Sequence, residues 1–142
     1  MELLLTKKIL EQINEAPEKD VVDIAQSERT PKIYMDKNKG IIKFSGRSMP
    51  DNANTFFSPL IKWVEEYIKT PQEKTIVCFD LEYFNSSASK MILQMIKKLK
   101  SIRDKGKQLV IDWYYMEDDD DMLDSGKTFE DLSDIKFDYI CY

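Results

Sequence analysis

Residues Thr75-Ile76-Val77-Cys78-Phe79-Asp80-Leu81 form a nearly continuous apolar run with no polar alternation. Such a run suits a central strand covered on both faces, as in sheets of parallel strands joined by helical crossovers. A second run, Gln108-Leu109-Val110-Ile111-Asp112-Trp113-Tyr114-Tyr115, has the same character. Between them Ala88, Met91, Ile92, Met95, Leu99 and Ile102 share one helical stripe, the lysines lie mostly elsewhere, and Gly106 stands where a helix C-terminus is expected. A strand, a helix and a strand in that order predict two parallel strands with a right-handed connection.

The segments on either side extend this core. Lys32-Ile33-Tyr34-Met35-Asp36 and Ile41-Ile42-Lys43-Phe44-Ser45 flank a turn-forming stretch closed by Gly40, which reads as a β-hairpin. The loop Gly46-Arg47-Ser48-Met49-Pro50-Asp51-Asn52 ends in helix-capping residues, and Phe56, Leu60, Trp63, Val64 and Tyr67 continue at helical spacing. Pro59 interrupts that helix and predicts a kink, or a restart with Ser58 as N-cap. Thr128-Phe129-Glu130-Asp131 reads as a short capped helix and Phe137 to Tyr142 as a final edge strand. The expected fold is α/β, with a β-β-α-β-α-β core whose mixed sheet carries packed helices and a short helical and edge-strand tail. Ahead of it, Leu5, Ile9 and Ile13 are spaced by four, and Pro17 ends the pattern. Residues 1–20 are expected to be an appended helix and 21–142 a single domain, with a short extended segment from Val21 to Ala25.

With 142 residues the chain suits one domain able to bury a core without metal or disulfide. Its two cysteines, Cys78 and Cys141, are far apart and read as reduced thiols. The start places its lysines after a three-residue apolar run, the reverse of a signal peptide, and no apolar run approaches the ~20 residues of a spanning helix. A cytoplasmic protein without membrane insertion is expected. The absence of histidine excludes Ser-His-Asp and Cys-His nucleophilic sites and the H-E-x-x-H zinc motif. No glycine-rich phosphate loop is present either. Composition therefore favours a binding or regulatory protein over an enzyme.

The net charge, 21 − 26 = −5, is unevenly distributed. Residues 117–142 hold ten acids and two lysines, or −8, which leaves +3 on residues 1–116. A basic stretch, Lys90 to Lys107, thus has a strongly acidic neighbour, which argues against nucleic acid as the partner. The acidic run Glu117-Asp118-Asp119-Asp120-Asp121 fails the EF-hand template, because Gly126 at position 6 puts Leu123 at position 3 and Leu132 at position 12. A solvated or partner-facing acidic loop is expected, with no metal and no cofactor; a Mg²⁺-assisted enzyme using this loop is the alternative. Lys90 reads as a solvated side chain of a lysine-rich helix rather than a buried nucleophile.

Asn85-Ser86-Ser87-Ala88-Ser89-Lys90 places three hydroxyls at a strand-to-helix turn. Asn and Ser are preferred N-caps, each worth about 1 kcal/mol there. The same position offers free N–H donors and a positive dipole end, so it tolerates an added phosphate of about −1.5 to −2 charges. One hydroxyl can therefore serve both as part of a cap and as a switch.

Several ordered strings extend the pattern: Gly46-Arg47-Ser48-x-Pro50-x-Asn52, Phe57-x-Pro59-Leu60-x-x-Trp63, Leu81-x-Tyr83-Phe84-Asn85-Ser86-Ser87-x-Ser89-Lys90, Trp113-Tyr114-Tyr115, Glu117 to Met122, and Gly126-x-x-Phe129. From about Thr30 to Tyr142 the chain resembles the SiaC-type regulatory phosphoproteins of bacteria. The resemblance implies a cytoplasmic, STAS-like α/β protein, similar to anti-sigma-factor antagonists. It also implies a partner-switching module in which a dedicated kinase phosphorylates a Thr or Ser at a helix start and a PP2C-type phosphatase removes the group. The unphosphorylated form would bind and control an effector such as a diguanylate cyclase, in cyclic-di-GMP and biofilm signalling. The implied acceptor is Ser86, with Ser87 as runner-up, and the implied partner surface comprises Arg47, Ser48, Asn52, Tyr83, Asn85, Ser87, Ser89 and Lys90. The N-terminal extension lies outside the pattern. A STAS-like sensor of a small ligand is a further alternative.

Overall fold

Strand neighbours in this molecule follow chain order without a crossing. The computed structural model describes residues 2–142, with side chains from Leu5 onward; Met1, part of the expected 1–20 extension, lies outside the described residues. Helix α1 (Glu2–Glu15) leads through a 3-10 turn (Ala16–Glu18) into strands β1 (Val21–Ile24), β2 (Lys32–Asp36) and β3 (Ile41–Ser48). Then come α2 (Ala53–Tyr67), β4 (Lys74–Phe84), α3 (Ser86–Leu99), the short α4 (Ser101–Asp104), β5 (Gln108–Tyr115), α5 (Asp120–Ser133) and β6 (Asp138–Cys141). The six strands form one sheet in the order β1-β2-β3-β4-β5-β6. The first three pair antiparallel, and β3 through β6 pair parallel, so the expected hairpin and parallel unit are both present.

The hairpin turn is fixed by one carboxylate and one glycine. Asp36 Oδ1 accepts the N–H groups of Asn38 (2.8 Å) and Lys39 (3.1 Å), and its Oδ2 accepts the Tyr34 hydroxyl (3.0 Å). Gly40 has φ +67°, and a Cβ there would sit 2.6 Å from the Lys74 carbonyl oxygen, so a side chain is excluded on both counts. Burial acts to raise the Asp36 pKa, but the Tyr34 hydroxyl and the Lys39 and Asn38 amides outweigh it and hold the carboxyl below its ordinary 3.8. A depressed folded value stabilises the fold above pH 3.8, and that contribution is lost as pH falls through the folded pKa. Asp36→Asn is expected to flatten the acid limb of a stability-versus-pH curve, measured by denaturant unfolding between pH 7 and pH 3.

The expectation that β4 and β5 are covered on both faces is not met. Val77, Phe79, Leu81, Leu109, Ile111 and Trp113 are at most 5% exposed and meet the helices. Their neighbours Ile76, Cys78, Asp80, Val110, Asp112 and Tyr114 are only half-buried, on the opposite face. Helices α1, α2, α3 and α5 pack side by side over the first face, through the contacts α1–α2, α2–α3 and α3–α5. The second face therefore carries an apolar component with nothing described upon it, which is why the sequence shows no alternation.

Three further expectations change. Helix α2 is one element from Ala53 to Tyr67, capped by the Asn52 side chain, with Pro59 inside it and no restart at Ser58. The Ser58 hydroxyl instead donates to Asn54 Oδ1 (2.6 Å). The apolar face of α2, with Phe56, Phe57, Leu60, Ile61, Trp63 and Val64 all buried, holds the helix together across the missing N–H. The stripe expected to run unbroken to Ile102 is divided at Lys100 between α3 and α4. The acidic run is not a loop throughout. Asp119 caps α5 by accepting the Met122 N–H (3.0 Å), and Asp120 and Asp121 occupy its first turn, where the helix dipole favours negative charge. The short helix expected at Thr128–Asp131 is the C-terminal half of this 14-residue element.

Helix α1 shares the main core. Ile9, Ile13 and Ala16 are at most 3% exposed, α1 packs on α2, and Trp63 Nε1 donates to the Lys19 carbonyl (2.8 Å) just beyond the 3-10 turn. Ile13→Ala is expected to destabilise the whole domain by about 2–5 kcal/mol, through lost burial and the cavity left behind. Two-state denaturant unfolding measures it, and a loss below about 0.5 kcal/mol would mean that α1 adds nothing to the core.

Candidate functional site

Parallel strands joined by helices bring several helix N-termini to one edge of the sheet. Here β3, β4 and β5 end where α2, α3 and α5 begin. At the end of β4, Asn85 is extended (φ −88°, ψ 174°) and its side chain accepts the Ala88 N–H (2.9 Å), the first cap bond of α3. Its own N–H donates to the Ser48 carbonyl (3.1 Å), which ties the start of α3 to the end of β3. Ala88, wholly buried, pins the first turn against the core.

The three hydroxyls of this turn differ. Ser87 Oγ donates to Asn85 Oδ1 (3.1 Å), and Ser89 Oγ donates to the Ser86 carbonyl (2.7 Å). Ser86 is exposed, at the first position of α3. Among the described residues, its hydroxyl and the N–H groups of Ser86 and Ser87 have no hydrogen-bond partner. A phosphate carried on Ser86 would meet unpaired donors and the positive end of a helix dipole. Among the described residues no acidic or basic side chain is hydrogen-bonded to the Ser86 hydroxyl.

The other residues singled out from the sequence gather at the same edge in different roles. Arg47 is exposed and follows a register shift at Gly46, whose φ of +95° only glycine adopts readily. Ser48 is 1% exposed, so its contribution to the edge is the backbone carbonyl that holds Asn85. Asn52, exposed, accepts the Thr55 N–H (3.1 Å) as the cap of α2. Tyr83 at the end of β4 is 48% exposed, and Lys90 is exposed on α3. Met116, 51% exposed just past the end of β5, stands at the same edge and was not among the residues singled out from the sequence. Among the described residues no group of three or more acidic or thiol side chains is placed to hold a metal ion, and Asp119 is engaged as a helix cap. No described helix is long and apolar enough to cross a membrane.

Comparison with known proteins agrees with this architecture. The family model of the SiaC family regulatory phosphoprotein matches residues 24–142. A curated relative, the uncharacterized protein PA14_02130 of Pseudomonas aeruginosa strain UCBPP-PA14, is 27% identical over 92 residues, covering 65% of this chain and 73% of that one. The crystal structure of apo-SiaC from P. aeruginosa superposes with a TM-score of 0.74 at 24% identity, over 87% of this chain and 98% of that one. The structure of the diguanylate cyclase SiaD in complex with its activator SiaC, from the same organism, matches with a TM-score of 0.78 at 22% identity, over 84% of this chain and 98% of the matched chain.

Proposed function

Since the chain belongs to the SiaC family of regulatory phosphoproteins, we propose that it is a non-enzymatic switch of a cytoplasmic partner-switching module. A dedicated kinase phosphorylates Ser86, a PP2C-type phosphatase removes the group, and the unphosphorylated form binds and activates an effector of the diguanylate cyclase class. The observation that carries this reading is the exposed, unpartnered Ser86 hydroxyl at the first position of a capped helix, beside two free amides. Ser87 is the weaker acceptor, because its hydroxyl is already engaged by Asn85. Arg47, Asn52, Tyr83, Ser87 and Lys90 form the exposed part of the partner surface. The P. aeruginosa SiaC, described as the activator of SiaD, supports the choice of effector class. In this reading residues 21–142 carry the switch, in keeping with the family match over residues 24–142, and residues 1–20 add α1 to its core.

The test is reconstitution. Unphosphorylated protein mixed with a diguanylate cyclase from the same genome is expected to co-elute with it and raise its rate of cyclic-di-GMP formation. Co-elution with none of that genome's cyclases would overturn the effector assignment.

One observation favours a second reading, a small-ligand sensor. A cleft of about 490 Å³ opens between α1, the β1–β2 loop and the start of α2, lined by Leu5, Ile9, Leu10, Phe56, Arg29 and Asn52 among others. That volume is within the range of small-molecule sites. A thermal-shift screen with nucleotides and fatty acids separates the readings, since a specific rise in melting temperature is expected only of a sensor.

A further inference from the structure

The large apolar side chains that stay exposed gather at one end of the molecule. Tyr83, Met116 and Tyr142 stand at the ends of β4, β5 and β6, the edge that carries Ser86. Leu5 and Leu10 line the cleft between α1, the β1–β2 loop and the start of α2. That cleft lies at the same edge. Strand β2 runs antiparallel to β3, with Lys32 opposite Ser45, so the β1–β2 loop meets the segment that leaves β3 for α2. The Met49 N–H donates to the Arg29 carbonyl (2.8 Å) and joins the two. Among the described residues only Val21 and Leu132 are large, apolar and exposed elsewhere.

Exposed apolar area collected in this way marks a surface that another molecule covers. A small ligand in the cleft would leave Tyr83, Met116 and Tyr142 in water, whereas a protein can reach all of them. The cleft is also continuous with the partner surface, because Asn52 belongs to both. We propose, resting on the switch reading of Ser86, that the partner seated on this edge reaches across Asn52 and anchors an apolar segment in the cleft. The segment is a helix or loop that presents aliphatic or aromatic side chains.

The chemistry of the cleft suits such an anchor. Ile9 and Phe56 are held almost wholly buried by the core, so part of its lining is fixed before binding, while Leu5 and Leu10 wait uncovered. Buried apolar anchors in preformed pockets carry most of the energy of protein interfaces, and a polar surround excludes water from them. The charged lining residues are Glu28, Asp51 and Arg29. Arg29 already pairs with Asp51 (3.2 Å), so two carboxylates and an engaged guanidinium face the visitor, which disfavours an anionic ligand such as a nucleotide. Leu5, Ile9 and Leu10 lie outside residues 24–142, so α1 adds a contact that the matched part of the fold does not supply.

The double variant Leu5→Glu, Leu10→Glu tests the anchor, since it places charge at two exposed positions in a residue type that favours helix. Its affinity for the diguanylate cyclase that co-elutes with the wild type is expected to fall at least about tenfold by titration calorimetry, with the denaturant midpoint unchanged. Equal affinity in the folded double variant overturns the anchor and leaves the Ser86 switch standing. Co-elution of the wild type with no cyclase overturns the effector class and the anchor together. Should the variant fold poorly, hydrogen exchange on the wild type decides. The amides of residues 5–10 are expected to exchange more slowly in the complex, and unchanged exchange there overturns the anchor. A small molecule that fills the cleft without weakening effector binding would overturn it in favour of a sensor.

Discussion

Under the proposed switch, incubation with ATP and a cognate kinase is expected to add one phosphate to the wild-type chain, on Ser86, and almost none to Ser86→Ala. Ser87→Ala should remain a substrate, because Ser87 lies turned to Asn85 while Ser86 offers an exposed, unpartnered hydroxyl. Mass spectrometry of the intact and digested protein measures both, and phosphate located entirely on Ser87 or elsewhere would refute the assignment. The added group brings about −1.5 to −2 charges at pH 7 to a surface whose exposed neighbours are Arg47, Tyr83 and Lys90. The first turn of α3 holds that charge well, but a partner seated on the uncharged turn must desolvate or oppose it. Effector affinity is therefore expected to fall at least about tenfold, or 1.4 kcal/mol, on phosphorylation. Ser86→Asp should fall by less, since a carboxylate carries only about half to two-thirds of the charge. Titration calorimetry with the effector measures the difference, and equal affinity of phosphorylated and unphosphorylated protein would reject repulsion as the switching force.

The largest loss of stability is expected at Trp113. Its side chain is wholly buried where α5 packs on β5, and it packs on Phe79, Phe84, Phe129 and Phe137 at ring-centre distances of 5.5–6.3 Å. Its Nε1 also donates to the Met122 carbonyl (2.9 Å), closing a buried polar group in the first turn of α5. Trp113→Ala removes both, and about 3–5 kcal/mol is expected from the ring alone. Trp113→Phe keeps most of the packing but leaves the carbonyl unpaired, at a cost of about 1–3 kcal/mol. Gly126 reports on the same contact from the other side. Helix propensity alone would make Gly126→Ala stabilising by about 1 kcal/mol. A Cβ there, however, would lie 2.6 Å from Cδ1 and Nε1 of Trp113, a ring with no room to retreat. Overpacking of about 1–3 kcal/mol is expected to win, so Gly126→Ala should destabilise. Denaturant unfolding decides both, and a stabilised Gly126→Ala would show that α5 does not rest on the indole.

How much of this was legible in the residues depends on the range of the interaction. The hairpin at Asp36–Gly40, the cap at Asn85 and the cap at Asn52 are local: each needs a particular residue type within three positions, and each was readable. The α5 cap was hidden because five consecutive acids from Glu117 look like a solvated loop, and only the fold shows which of them meets an amide. The restart expected at Ser58 fails for the opposite reason. A local rule against proline in helices is overridden by a buried apolar face contributed by the rest of the domain. At the edge, the residue types around Ser86 were evident, but not which hydroxyl is free, because Ser86 and Ser87 differ only in what their side chains reach.

The apolar run from Thr75 to Leu81 determined by itself that a strand stands in the middle of a sheet beside a parallel partner, since no other element buries so many consecutive apolar residues in so short a length. It could not determine that helices cover only one side. Side chains alternate across a strand, so an unbroken run records that both faces are apolar, not what lies on each. That was decided by the tertiary structure, in which every crossover packs its helix on the same face as its neighbours and leaves Ile76, Cys78, Val110 and Tyr114 on the other.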